Sequence, residues 1–286
     1  MGRSRPESSA APDSGGTLFI VATPIGNLGD MTSRAIETLR GASLVLAEDT
    51  RKSRVLLDHF GIRVRLKSAH THNEASTIPL VLAELARKKN VALVTDAGTP
   101  LISDPGSRLV DSVRKAGYRV SPIPGASALT AALSAAGLDT TRFTFFGFLP
   151  RGGAERRAAM QAISTLTHTS VIFEAPNRVA KTLRELADGS SGERRCVVAR
   201  ELTKLFEEFR DGTVEELAAY YAESAPRGEV VILLAAAQAK SFSEADLYTR
   251  VKVLREAGLT ARDAAARVSA ETGVSRNMVY RIAVKV

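Results

Sequence analysis

A chain of 286 residues, 44% of them hydrophobic, has room for two domains, and its apolar content excludes an intrinsically disordered polymer. Its net charge of +8 favours an anionic partner, nucleic acid first. The lone cysteine, Cys196, excludes a disulfide framework or a cysteine-built metal site within one chain. No apolar run long enough for a membrane span and no apolar N-terminal block are seen, so a soluble, cytoplasmic protein without a membrane partner is expected.

Residues 1–16 are small, Pro, Gly or charged, which predicts a disordered tail. Leu18 to Ala22 then forms a short apolar run ended by Thr23-Pro24-Ile25-Gly26-Asn27, and a helical period starts at Thr32 and stops at Gly41. The unit recurs twice: Leu44 to Ala47 precedes Glu48-Asp49-Thr50-Arg51, and Val91 to Val94 precedes Asp96-Ala97-Gly98-Thr99-Pro100. Continuous apolar strands alternating with helices imply an α/β domain on a parallel sheet, over 17–138. Ligands of such sheets bind beyond the carboxyl ends of the strands, where these turns lie.

Past Pro124-Gly125 come a small-residue helix from Ser127, the run Phe143 to Pro150, a basic stretch from Arg151 to Arg157, and apolar runs at Ser170 to Phe173, Cys196 to Ala199 and Glu229 to Ala235. The alternation is less strict there, which predicts a second α/β domain with a mixed sheet over 139–240. Residues 241–286 read as a basic helical extension. Thr260 to Val268 and Ser275 to Tyr280 are joined by Thr272-Gly273-Val274, a helix-turn-helix pattern. Arg276 and Arg281 there are open to two readings, nucleic-acid contact or an ordinary solvated face.

Walker loops, Gly-x-Ser-x-Gly elbows and closely spaced metal-ligand clusters are absent from the sequence. His70, His72 and Glu74 come nearest to a metal set but read as polar loop residues, so no metal is expected. Asp96 to Gly106 combines two Gly/Pro turns, each with a carboxylate. It suits close approach of a ligand to backbone, or else is a structural turn in which Asp104 caps the next helix. Ser127 is either a ligand contact or a helix cap, and its local pattern favours the cap. Phe143 to Phe148 followed by Arg151, Arg156 and Arg157 resembles an aromatic and basic RNA-binding surface, although alternating phenylalanines more often face a core.

Taken in order, Thr23 to Leu28, Ala47 to Arg51, Asp96 to Gly106, Pro124 to Ser127, Gly147 to Pro150 and Ala199 to Lys204 resemble the small-subunit ribosomal RNA cytidine-2′-O-methyltransferase I family of the tetrapyrrole-methylase superfamily. The resemblance runs from about Leu18 to the C-terminus and rests on the joint order of these segments. It implies a two-domain methylase, S-adenosyl-L-methionine as cofactor, 16S rRNA in the small ribosomal subunit as partner, and a homodimer. By motif it implies donor contacts at Pro24, Asp96, Ala97, Gly98, Thr99, Ile102, Ser127 and Ala128, with Glu174, Leu205, Gly228 and Glu229 as further carry-overs. Their place in two strand-end turns leads us to expect Glu48, Asp49, Arg200, Glu201 and Lys204 as catalytic residues on the acceptor side, one carboxylate or Lys204 assisting proton removal, with Arg51 meeting RNA beside them. Two rival functions are a corrin or porphyrin methylase and a helix-turn-helix regulator without enzymatic activity.

Overall fold

Strands buried on both faces need helices above and below, and the first half of the chain supplies them. The computed structural model describes residues 15–71, 73–237 and 242–286. His72 and residues 1–14 of the expected tail lie outside the described residues, while the Gly16 amide donates to the Leu85 carbonyl. Strands β1 (Thr17–Val21), β2 (Leu44–Ala47), β3 (Leu66–Ser68), β4 (Val91–Val94) and β5 (Arg119–Ile123) form a wholly parallel sheet in the order β3-β2-β4-β1-β5. Helices α1 (Ser33–Arg40) and α2 (Thr50–His59) set Ala35, Leu39 and Leu57 against Val21, Val45 and Val94 on one face. On the other face, α3 (Glu74–Ala86) and α4 (Ser107–Lys115) set Val81, Leu85, Leu109 and Val113 against Leu44, Leu46, Val91 and Leu93.

Helix α5 (Ala128–Ala135) follows β5 in sequence but packs on a second sheet. Its Ala132 and Leu133 lie with Ile25 against Val171, Val197, Val231 and Leu233. That sheet comprises β6 (Phe143–Phe148), β7 (Thr169–Glu174), β8 (Arg195–Arg200), β9 (Glu208–Thr213) and β10 (Val230–Leu234) in the order β6-β7-β10-β8-β9. Only β6 and β7 pair in parallel, so the sheet is mixed, as expected. Helices α6 (Gly153–Thr165), α7 (Val179–Leu186) and α8 (Val214–Glu223) cover its far face around Ile172, Cys196, Val198 and Ile232. Cys196 is fully buried there and burial pushes its thiol well up, consistent with a small core residue.

The chain divides into two compact units, Met1–Ala236 and Ala237–Val286. In the second, α9 (Glu244–Glu256), α10 (Ala261–Thr272) and α11 (Arg276–Ala283) close around Leu247, Val251, Val268, Val279 and Ile282. Gly273 ends α10 in the left-handed conformation at φ 72°, and the Ser275 side chain caps α11, which gives the expected helix-turn-helix. No helix of the described residues is long and apolar enough to cross a membrane.

Candidate functional site

The turns at the carboxyl ends of the parallel strands are joined to one another. Thr23 after β1 and Gly98 after β4 exchange backbone hydrogen bonds of 2.9 and 3.0 Å. The Thr99 hydroxyl donates to the Ala126 carbonyl after β5 at 3.1 Å. Gly98 has φ +80°, and a Cβ there would stand 3.3 Å from Ile25, so the position suits glycine alone. Beyond it Leu101 and Ser103 hold φ of +73° and +67°, left-handed values that cost about 1 kcal/mol or more each in a side-chain-bearing residue. Such strain concentrates at functional loops.

A second strained loop faces them from the mixed sheet. After β8, Glu201 and Thr203 have φ of +50° and +66°. The Glu201 amide donates to the Glu229 carbonyl at 3.0 Å, and the Glu229 amide returns to Glu201 Oε1 at 3.1 Å. Lys204 Nζ bridges Glu201 Oε1 at 2.8 Å and Glu229 Oε2 at 3.1 Å. Gly228 has to be glycine, because a Cβ there would collide with the Glu201 carboxylate. The two loop sets also meet reciprocally: the Lys204 side chain lies over Gly26, and a Cβ on Gly147 in the bulge of β6 would stand 2.8 Å from Ser103 Oγ.

Between these loops lies a cavity of about 350 Å³. Small residues, Ala97, Gly98, Ser127 and Ala128, line it together with the apolar Phe148, Phe173, Leu202 and Val231. Four carboxylate residues line it: Asp96, Asp104, Glu174 and Glu229. Asp96 accepts from the Asp49 amide at 3.0 Å and from Lys52 Nζ at 2.7 Å. The Glu174 side chain is fully buried among Thr182 Oγ1 at 2.6 Å, Arg178 Nε at 3.1 Å and its neighbour's amide at 2.9 Å, so it braces the wall. Burial, with the nearby Glu48 charge adding to it, pushes the Asp104 carboxyl up to about 6. Burial and Asp96 raise Glu48 as well.

Of the residues expected at a donor site, Asp96, Ala97, Gly98, Thr99, Ile102, Ser127, Ala128, Glu174, Gly228 and Glu229 line this one cavity. Pro24 and Leu205 do not. Ile25 takes the place of the first and Leu202 of the second, while Leu205 is 91% exposed on the far side of its turn. Ser127 makes no side-chain capping bond, contrary to the pattern, which leaves its hydroxyl to the cavity. Nor does Asp104 cap α4: Glu74 from α3 does, accepting the Leu109 amide at 2.8 Å. Glu74 is thereby removed from any metal set, and no group of three such ligands occurs among the described residues.

Most of the expected acceptor-side groups are engaged. Asp49 caps α2 and pairs with Arg51 at 2.8 Å, whose hydrogen bonds hold its carboxyl well below the usual range. Arg200 pairs with Glu208 at 2.6 Å, and Glu201 is enclosed by Lys204 and the Glu229 amide. None of these, nor Glu48, lines the cavity, although Glu48 stands close enough to raise Asp104. Arg156 departs from the RNA-binding expectation: only 4% exposed, it points inward to Glu185, Thr182 and the Pro150 carbonyl rather than to a surface RNA could reach. Arg51, Arg151 and Arg157 remain exposed on this unit, and Arg276 and Arg281 on the helical one. Lys52, Phe148 and Leu202 were not assigned to the site from sequence, and Asp104 was left between a ligand loop and a helix cap; of the first three, only the position of Lys52, two after Thr50 at the start of α2, could have signalled it.

Residues 17–218 match the model of a family described as Tetrapyrrole (Corrin/Porphyrin) Methylases. A protein of Pseudomonas aeruginosa named Ribosomal RNA small subunit methyltransferase I is 46% identical over 276 residues, covering 95% of this chain and 98% of the relative. A protein of the same name from Escherichia coli O157:H7 is 42% identical and covers 98% of both chains. Among solved structures, a cobalt precorrin-4 methyltransferase superposes with TM-score 0.61 at 18% identity over 77% of this chain and 94% of its own. A uroporphyrin-III C-methyl transferase from Thermus thermophilus, complexed with S-adenosyl homocysteine, gives TM-score 0.57 at 20% identity over 77% of this chain and 97% of its own. At those identities the two structures speak for a shared fold.

Proposed function

Because the chain belongs to the tetrapyrrole methylase family, and within it to the ribosomal RNA small subunit methyltransferase I group, we propose that the cavity binds S-adenosylmethionine and that the enzyme methylates small-subunit ribosomal RNA. The acceptor is the ribose 2′-hydroxyl of a cytidine in the decoding region of 16S rRNA. One observation carries this reading: ten residues expected at a methyl-donor site, drawn from four separate segments of the chain, line a single cavity.

The donor set suits the group. An adenosyl moiety and its amino-acid arm need small residues that allow close approach and apolar side chains that cover it, as Gly98, Ala128, Phe173 and Leu202 provide. Asp96, held by Lys52 and the Asp49 amide, presents a fixed negative charge, which favours a cationic ligand. When bound, the donor supplies an electrophilic methyl group on a positively charged sulfur. This chain's residues orient it, exclude water through Phe148 and Phe173, and align a hydroxyl for in-line attack. Arg51, Arg151 and Arg157 on this unit, and Arg276 and Arg281 on the helical one, hold the phosphates of the rRNA. The enzyme works in the cytoplasm as a homodimer.

The test is methyl transfer from radiolabelled donor to purified 30S subunits, with mass spectrometry of ribonuclease digests to find the modified nucleotide. A labelled 2′-O-methylcytidine, absent from 16S rRNA of a deletion strain, is the expected result. Label in a base, in protein or in a tetrapyrrole would overturn it.

A further inference from the structure

We propose that Asp104 is the proton acceptor for the attacking hydroxyl. This rests on the hydroxyl-methylating function inferred above.

The assignment follows from what each cavity carboxylate is already doing. Asp96 is paired with Lys52, Glu174 with Arg178 and Glu229 with Lys204. Asp104 alone among the four is in no ion pair among the described residues, and no cation acts on its titration. A carboxylate in an ion pair is a poor base, because the cation stabilises the ionised form it would have to give up. Asp104 is also released from the helix-capping duty its position suggests, since Glu74 satisfies the Leu109 amide. The loop carrying it is strained at Leu101 and Ser103, and a strained backbone held in place by its surroundings is a device for aiming a side chain. Its neighbour in the loop, Ser103, is seated against Gly147 of β6, which fixes the loop from the mixed sheet.

The charges around Asp104 tune it in the required direction. Glu48 after β2 and Asp96 after β4 repel its ionised form, and burial adds to this. The Thr95 hydroxyl, also 3.3 Å from the Ala97 carbonyl, opposes them by donating to it. Lys52 on α2 and His70 beyond β3 act on Glu48 rather than on Asp104 directly. A carboxyl titrating at about 6 is ionised at neutral pH yet a stronger base than an ordinary aspartate. In the step itself the hydroxyl oxygen forms a bond to the methyl carbon as its proton passes to the Asp104 carboxylate. The carbon–sulfur bond breaks, its electron pair stays on sulfur, and a neutral thioether and a protonated Asp104 result.

The experiment compares wild type, Asp104→Asn and Asp104→Glu on 30S subunits in single turnover across pH 5 to 9, with calorimetric binding of S-adenosylhomocysteine. It adds a carbon NMR titration of aspartate-labelled protein. Asp104→Asn is expected to lower the transfer rate about a hundredfold or more with unchanged KM for 30S subunits and unchanged S-adenosylhomocysteine affinity. It should also abolish the acidic limb of the pH–rate profile and remove one carboxyl resonance that titrates near pH 6. Asp104→Glu should recover part of the rate with a displaced limb. Wild-type rate and profile in Asp104→Asn, a resonance that titrates in the ordinary aspartate range, or loss of S-adenosylhomocysteine binding in step with rate, would overturn the assignment. If Asp104→Asn does not fold, the displaced limb and resonance of Asp104→Glu decide. A wild-type protein that transfers no methyl group to 30S subunits would instead refute the proposed function.

Discussion

A carboxyl whose burial raises its pKa in the folded protein is a liability to stability once ionised. For Asp104 the folded value of about 6 lies above that of the unfolded chain, so the native state holds the extra proton between the two. Unfolding then releases protons, and stability falls as pH rises through that window. Above it the penalty is constant. Asp104→Asn is therefore expected to melt at a higher temperature than wild type at pH 7.5, with the gap closing toward pH 4, as thermal unfolding at several pH values would reveal. A variant that loses activity while gaining stability is the usual signature of a functional group placed against its solvation preference. Little of this was legible in the sequence. The Asp-Pro-Gly turn suggested a helix cap, and the true cap, Glu74, lies 35 residues away in the chain, beyond the reach of any local pattern. Ser127 misled for the same reason, since its capping signature says nothing of a cavity formed by segments distant in the chain.

Among elements, legibility followed burial. Strands β2 and β4 are apolar throughout because helices cover both faces, and their runs read directly from sequence. Strand β9, Glu208–Thr213, is an edge strand of half-exposed polar residues with no apolar period, so it was not expected. The three residues of β3 are too few to carry a pattern. Helix α6 shows the cost of reading charge without depth. Its Arg156 and Arg157 are adjacent in sequence, but successive helix positions point about 100° apart, and only Arg157 reaches solvent. Arg156 instead ties α6 to Glu185 and Thr182 near the end of α7. Arg156→Ala should lower stability by about 2 kcal/mol, because it leaves the buried Thr182 hydroxyl without its donor and empties a buried site. Arg157→Ala should leave stability within about 0.5 kcal/mol and weaken 30S binding. Denaturant unfolding and filter binding separate the two effects.

At the scale of the whole molecule, the net charge of +8 is divided between an α/β unit that holds the cavity and a helical unit. The fold class, the parallel first sheet and the helix-turn-helix were all readable in advance, because each is set by local apolar period and turn chemistry. If Arg276 and Arg281 of the helical unit neutralise rRNA phosphates, the double alanine variant should reduce the slope of log affinity for 30S subunits against log salt by roughly 1.5. Affinity for S-adenosylhomocysteine should not change. An unaltered salt slope would assign the helix-turn-helix to another task.

The backbone bridge between Thr23 and Gly98 bears on how ligands are captured. It joins the first and second turns of the cavity floor by hydrogen bonds that need no ligand, and Thr99 extends the seam to the third. The conformational entropy of ordering these loops is thus lost during folding and not at the moment of binding, the condition under which association is a single encounter and affinity resides in the dissociation rate. A molecule preorganised in this way discriminates by shape at first contact, so compounds that compete for the cavity gain more from rigidity than from added reach.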